Sequence, residues 1–191
     1  MVFDVQTTHR CNRDKRHPVT INEHGKVEMR TRRVVAGAFG LTVVAAAALS
    51  GTLRRFEIKE ASMSPTLEPG DWVIARRMSR PPDRGDIVVF NDPTGTGMNL
   101  VKRVIGLEDE TLTVKSGRVL VDGAVLADRW ANGATVFEGS WIVPQDYVWV
   151  LGDNRGDSRS DGRTIGTTPV EEIGWRVVAR YWPTSNARSL T

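Results

Sequence analysis

The three histidines (His9, His17 and His24) and the single cysteine (Cys11) all precede residue 33, so any chemistry in residues 56–191 runs without imidazole or thiol. That excludes Ser-His-Asp triads, Cys-His dyads and histidine-ligated metals there, and a lone cysteine forms no internal disulfide. A hydrolytic nucleophile would have to be serine or threonine, with lysine or a carboxylate as its base. A lysine base must be neutral near pH 7, although its ordinary pKa is ~10.4; burial among apolar groups is what lowers it. Three lysines follow residue 56. Lys102 is flanked by Leu100, Val101, Val104 and Ile105, whereas Lys59 lies near the end of a long apolar run and Lys115 adjoins a Ser-Gly turn. A nucleophile belongs on an exposed turn, and ASMSPTLEPGD offers Ser62 and Ser64. Pro65 fixes its own φ and forces Ser64 extended, which makes a rigid corner just after Ser62; Met63 and Leu67 can anchor it. Residue types alone leave the structural alternatives open: an ion-paired strand lysine and a plain β-turn.

The elements that would position these groups read as β. After residue 56 come short apolar runs rich in β-branched residues, separated by Gly, Pro and Asp: residues 72–77, 86–90, 100–106, 111–114, 118–126, 141–144, 147–152 and 175–182. Ser116-Gly117 and Asp122-Gly123 are hairpin-type dipeptides. Residues 91–99 and 127–140 read as loops, and no long amphipathic helix or internal repeat appears. The expected fold class is mainly β: an antiparallel, barrel-like or sandwiched domain over 56–183, followed by a tail over 184–191.

Ahead of this domain, twenty residues from Val34 to Leu53 carry no charge and lie between Arg32-Arg33 and Arg54-Arg55. At ~1.5 Å per residue this is about 30 Å, one hydrocarbon thickness, and the segment reads as one transmembrane helix. A cleaved secretory signal would need a much shorter leading region, and a core helix would carry a polar face. Residues 1–33 hold eight Lys/Arg against four Asp/Glu, so the positive-inside rule puts this basic, non-periodic tail in the cytoplasm and the β domain outside. Met29 is an alternative start. The chain as a whole has 191 residues, net charge +3 and pI near 9.3. Residues 56–191, however, hold sixteen basic against nineteen acidic residues, so no nucleic-acid partner is expected.

Four blocks in order, FEIKEASMSPTLEPGD (56–71), RGDIVVF (84–90), VKRVIG (101–106) and GDNRGDSRSDGR (152–163), resemble the motif set of bacterial type I signal peptidases, membrane serine proteases with a Ser/Lys dyad. The resemblance spans 56–182. It implies Ser62 as nucleophile and first oxyanion donor through its N–H, and Lys102 as general base. It further implies Phe56, Ile58, Met63 and Leu67 around shallow pockets for small side chains, and Arg103 with Asp153 as a structural ion pair. Ser158 would bond and orient the lysine, with Asp161 and Arg163 in support. The implied activity is removal of signal peptides after A-x-A, with preproteins, the bilayer and a secretion translocon as partners and no cofactor or metal. Some of Trp72, Trp130, Trp141, Trp149, Trp175 and Trp182 would touch the membrane.

Two departures stand out. Where members of the family place a serine or glycine two residues before the nucleophile, this chain has Glu60, which must point away from a developing oxyanion. The last block reads Ser158-Arg159-Ser160-Asp161-Gly162-Arg163, with one residue inserted and glycine in place of serine. Alternatives are a processing peptidase of the same superfamily dedicated to one partner, and an inactive membrane-tethered β scaffold. A self-cleaving repressor relative would lack the span and carry a DNA-binding region.

Overall fold

β-Branched runs punctuated by turn residues fold as the periodicity requires, into short antiparallel strands. The computed structural model describes residues 51–190. In chain order the strands are β1 (Leu53–Glu57), β2 (Trp72–Arg77), β3 (Ile87–Asn91), β4 (Asn99–Gly106), β5 (Thr111–Lys115), β6 (Arg118–Val121), β7 (Ala124–Val125), β8 (Gly139–Ile142), β9 (Tyr147–Leu151), β10 (Thr168–Pro169), β11 (Ile173–Trp182) and β12 (Arg188–Ser189). One short α-helix, α1 (Gly162–Ile165), precedes β10. The larger sheet runs β1-β2-β11-β3-β4-β9-β10 with β12 on β11, and the smaller runs β7-β6-β5-β8.

Strand β3 explains the architecture. Ile87, Val88, Val89 and Phe90 are all buried, so both faces of the central sheet are covered and the strand reads as a continuous apolar run. Ile87 and Val89 join Ile58, Met63, Leu67, Val73, Ala75 and Val177 on one face. Val88 and Phe90 join Leu100, Val104, Val148, Val150 and Ile173 on the other. A third cluster, with Leu112 and Val119 of the small sheet and Trp149 and Leu151 of β9, ties the two sheets together. Both hairpin dipeptides form turns with positive φ at each residue, 50° and 76° at Ser116-Gly117 and 50° and 81° at Asp122-Gly123. These are the signs a two-residue antiparallel connection needs.

The strand readings lie within about two residues of the observed bounds, except that residues 118–126 split into β6 and β7 at the Asp122-Gly123 turn. Strand β1 begins at Leu53, the last residue of the expected span; the rest of that span up to residue 50, and the tail before it, lie outside the described residues. No helix among the described residues is long and apolar enough to cross a membrane. Residues after 183 are not a free tail: Ser189 pairs with Ala179 and Arg188 with Arg180. Strands β1, β10 and β12 are too short or too polar to carry a period, and pairing partners alone make them strands.

Candidate active site

Ser62 sits in a single 3-10 turn, Ala61–Met63, between β1 and β2. Ser64 is extended at φ −65°, ψ 143°, as Pro65 demands. The Ser64 N–H donates to Ala61 O at 3.0 Å and the Leu67 N–H to Met63 O at 2.9 Å. Met63 and Leu67 are buried in the core cluster beneath, so the turn is pinned by its apolar anchors while Ser62 remains partly exposed. From the other side the loop after β9 grips the same turn. The Asn154 N–H donates to Ser62 O at 3.0 Å, and Asn154 Nδ2 donates to Ala61 O at 3.2 Å. A Cβ on Gly152 would stand 2.4 Å from Ser158 Oγ and 2.5 Å from Ser62 O, so only glycine admits this approach.

Lys102 lies on β4 opposite Val88, 2% exposed, with Nζ 2.8 Å from Ser62 Oγ. Burial drives its pKa below the ordinary lysine value; Asp161 and Glu60 oppose this fall, Arg163 assists it, and Asp153 opposes it. A hydroxyl in contact with a buried amine of lowered pKa can be deprotonated by that amine, which is the requirement for a nucleophile without imidazole.

The last motif block forms one network despite its inserted residue. Asp161 caps α1 and accepts from Arg163 Nε (2.9 Å) and Nη2 (2.8 Å), while Ser158 Oγ donates to Asp161 Oδ2 at 2.7 Å. Burial alone would raise the Asp161 pKa, but the bonds from Arg163, Ser158 and the Gly152 N–H outweigh it and hold the carboxylate below its ordinary value. Ser158 therefore serves Asp161; the expected bond from Ser158 to the lysine is not the one formed. The glycine that replaces serine has its own cause: a Cβ at Gly162 would lie 2.4 Å from buried Trp149 Nε1. Between Ser158 and Asp161, Arg159 is exposed and Ser160 half-buried. Arg103 and Asp153 form a bidentate pair at 2.8 and 2.7 Å, both buried, and Arg103 also donates to Gly85 O at 2.7 Å.

A cleft of about 290 Å³ opens in front of Ser62 and Lys102, lined by Phe56, Ile58, Met63, Leu100 and Val101 among others. Leu67, expected at the pockets, is wholly buried below them and does not line the cleft. Residues 97–101 do line it and were not legible as a wall, because their approach to β1 depends on how the sheet curls. Glu60 also lines the cleft, with no hydrogen-bond or ion-pair partner for its carboxylate among the described residues. Gly152 and Asn154 stand in a quoted motif but drew no role. Arg180 and Arg188 carried no signal at all. Arg180 Nη1 donates to Asp71 Oδ2 at 2.7 Å, and Arg188 Nη2 donates to Thr66 O at 3.1 Å, bracing the far end of the turn that carries Ser62.

The structure thus sets a serine on a pinned turn against a buried strand lysine at the mouth of a cleft in the β domain. The family model described as "Signal peptidase, peptidase S26" matches residues 31–182, and the chain belongs to that family and is a peptidase. It is 39% identical over 145 residues to "Signal peptidase I" of Leptolyngbya laminosa, covering 70% of each chain. It is 35% identical over 166 residues to "Probable signal peptidase I-2" of Synechocystis sp., covering 80% of this chain and 76% of that one. It is 33% identical over 128 residues to "Mitochondrial inner membrane protease subunit 1" of Homo sapiens, covering 65% and 67%.

Proposed function

We propose that this chain is a membrane-bound serine endopeptidase that removes signal peptides from secreted preproteins after small residues, with Ser62 as nucleophile and Lys102 as general base. The observation that carries it is the 2.8 Å contact between Lys102 Nζ and Ser62 Oγ at a lysine that burial shifts toward neutrality. Neutral Lys102 takes the hydroxyl proton as Ser62 Oγ bonds the scissile carbonyl carbon. The Ser62 N–H stabilises the oxyanion, a donor worth roughly 3 kcal/mol in comparable sites. The intermediate collapses, the protonated lysine gives its proton to the leaving amine, and a Ser62 ester remains. Lys102, neutral again, takes a proton from the water that hydrolyses this ester.

Two features support an extended peptide with small side chains. Among the described residues β4 pairs with β9 only from Arg103 onward, leaving its edge at Asn99–Lys102 beside the cleft without a strand partner, and β1 has only β2 as neighbour. Ile58 and Met63 are almost fully buried at the cleft floor, which keeps its pockets shallow. In this reading Val34–Leu53 is the anchor, the N-terminus is cytoplasmic, the β domain lies outside, and the bilayer and a secretion translocon are partners. A second reading, a peptidase of the same family dedicated to one partner, uses the same Ser62–Lys102 contact and differs only in substrate range.

The test is cleavage of a secretory preprotein with an A-x-A signal end by membranes carrying wild type, Ser62→Ala or Lys102→Met, followed by N-terminal sequencing of the product. Cleavage directly after the motif, lost in both variants, is expected. Cleavage that survives either substitution overturns the dyad, and a folded wild type inert on general preproteins points to the dedicated peptidase. An enzyme inert on every candidate partner as well would leave the inactive scaffold, against which the intact Ser62–Lys102 contact argues.

A further inference from the structure

The cleft holds an uncompensated negative charge. Of the ionisable groups lining it, Lys59 is paired with Glu57 at 2.5 Å and that pair is neutral as a unit. Lys102, when it acts as base, is also neutral. Asp161 is paired with Arg163 and Asp153 with Arg103, and none of the four lines the cleft. What remains is Glu60, two residues before the nucleophile, exposed, with no side-chain capping bond and no ion-pair partner among the described residues.

Glu60 lines the cleft that a bound peptide would enter, and before Ser62 gives up its proton the neutral Lys102 offers it no cation, so a cationic substrate side chain has an open partner there. We propose that Glu60 is a cation subsite: it selects substrates with a lysine or arginine next to the scissile bond, at whichever adjoining position is not committed to a small side chain. This deepens the Ser62/Lys102 reading and rests on it. A substrate ammonium or guanidinium at Glu60 is attracted to the carboxylate as the peptide binds in the cleft. A carboxylate at the same substrate position would add a second like charge to the cleft. Attraction in one case and repulsion in the other make the two substrates diverge.

The full-length enzyme in detergent would be assayed on peptides with alanine at −3 and −1 of the cleavage site and Lys, Gln or Glu at −2, +1 or +2. The expected result is a Lys-over-Glu preference in kcat/KM of roughly three- to tenfold at one of these positions, the size of a solvent-exposed charge interaction. It should shrink at high salt. Glu60→Gln should bring the ratio close to one and Glu60→Lys should reverse it. Binding of the same labelled peptides to Ser62→Ala, read by fluorescence anisotropy, gives an independent Lys-to-Glu ratio that does not require turnover. A wild-type ratio near one in both measurements, or a preference that Glu60→Gln leaves intact, overturns the proposal. Cleavage that persists in Ser62→Ala and Lys102→Met would instead overturn the dyad, which is a different failure.

Discussion

The lowered pKa of Lys102 is a stability statement as well as a catalytic one, and the two can be measured against each other. In the unfolded chain this lysine is an ordinary amine, protonated up to ~10.4. In the folded domain, burial beside Ser62 lowers its pKa. Between the folded and unfolded pKa values the unfolded state holds one more proton, so wild-type stability rises with pH. This one group contributes a slope of about 1.4 kcal/mol per pH unit, which vanishes below the folded pKa and above the unfolded one. Lys102→Met removes the group while keeping an unbranched apolar stem. The difference in unfolding free energy between wild type and Lys102→Met should therefore change by about 1.4 kcal/mol per pH unit, the variant gaining on the wild type as pH falls from 10. The gain should stop at a break. Denaturant unfolding of the full chain in mild detergent, followed by tryptophan fluorescence, reads this directly, because all six tryptophans lie beyond residue 70. The break must coincide with the acid limb of the wild-type kcat/KM profile, where the free base becomes protonated. A difference flat across pH 6–10 would show that Lys102 titrates as an ordinary lysine. A break displaced by more than about one unit from the kinetic limb would show that some other group is the base.

Gly152→Ala would place a methyl group 2.4 Å from Ser158 Oγ and 2.5 Å from Ser62 O; we expect a loss of ~1–3 kcal/mol in denaturant unfolding and of order 10²-fold in kcat as the nucleophile shifts. Arg103→Ala strands the buried Asp153 carboxylate and should cost ~3–5 kcal/mol, whereas Arg103→Met with Asp153→Leu should cost less than the single change; equal losses would deny the ion-pair account. Ending the chain after Pro183 removes β12, the Arg188 bond to Thr66 O and the Asn186 carbonyl that Arg180 Nε meets at 2.9 Å. That truncation should lower kcat by roughly tenfold with little change in KM, since it loosens the nucleophile turn and leaves the cleft lining in place. A kcat equal to wild type would show that Thr66 needs no bracing.

Much of this site was legible before any fold. The confinement of histidine and cysteine to the N-terminal tail left serine or threonine with lysine or a carboxylate, and among the lysines Lys102 alone stood in a run apolar enough to desolvate it. Pro65 already dictated the extended Ser64, and the two X-Gly dipeptides already dictated their turns, because these are local backbone constraints. Other features had no local cause. Ser158 donates to Asp161, whose carboxylate is also held by Arg163, and that pairing depends on how the 158–163 turn folds. Leu67 lies below the cleft and residues 97–101 line it because the curl of the sheet decides which apolar side chain is floor and which is core. Arg180 and Arg188 reach Asp71 and Thr66, beside the turn that carries Ser62, across more than a hundred residues, Arg188 from a strand too short to show a period. Side-chain chemistry and backbone preference are properties of a residue and its neighbours, so the sequence determined the kind of site. The distances between groups far apart in the chain depend on strand pairing and curvature, and only the tertiary structure decided those.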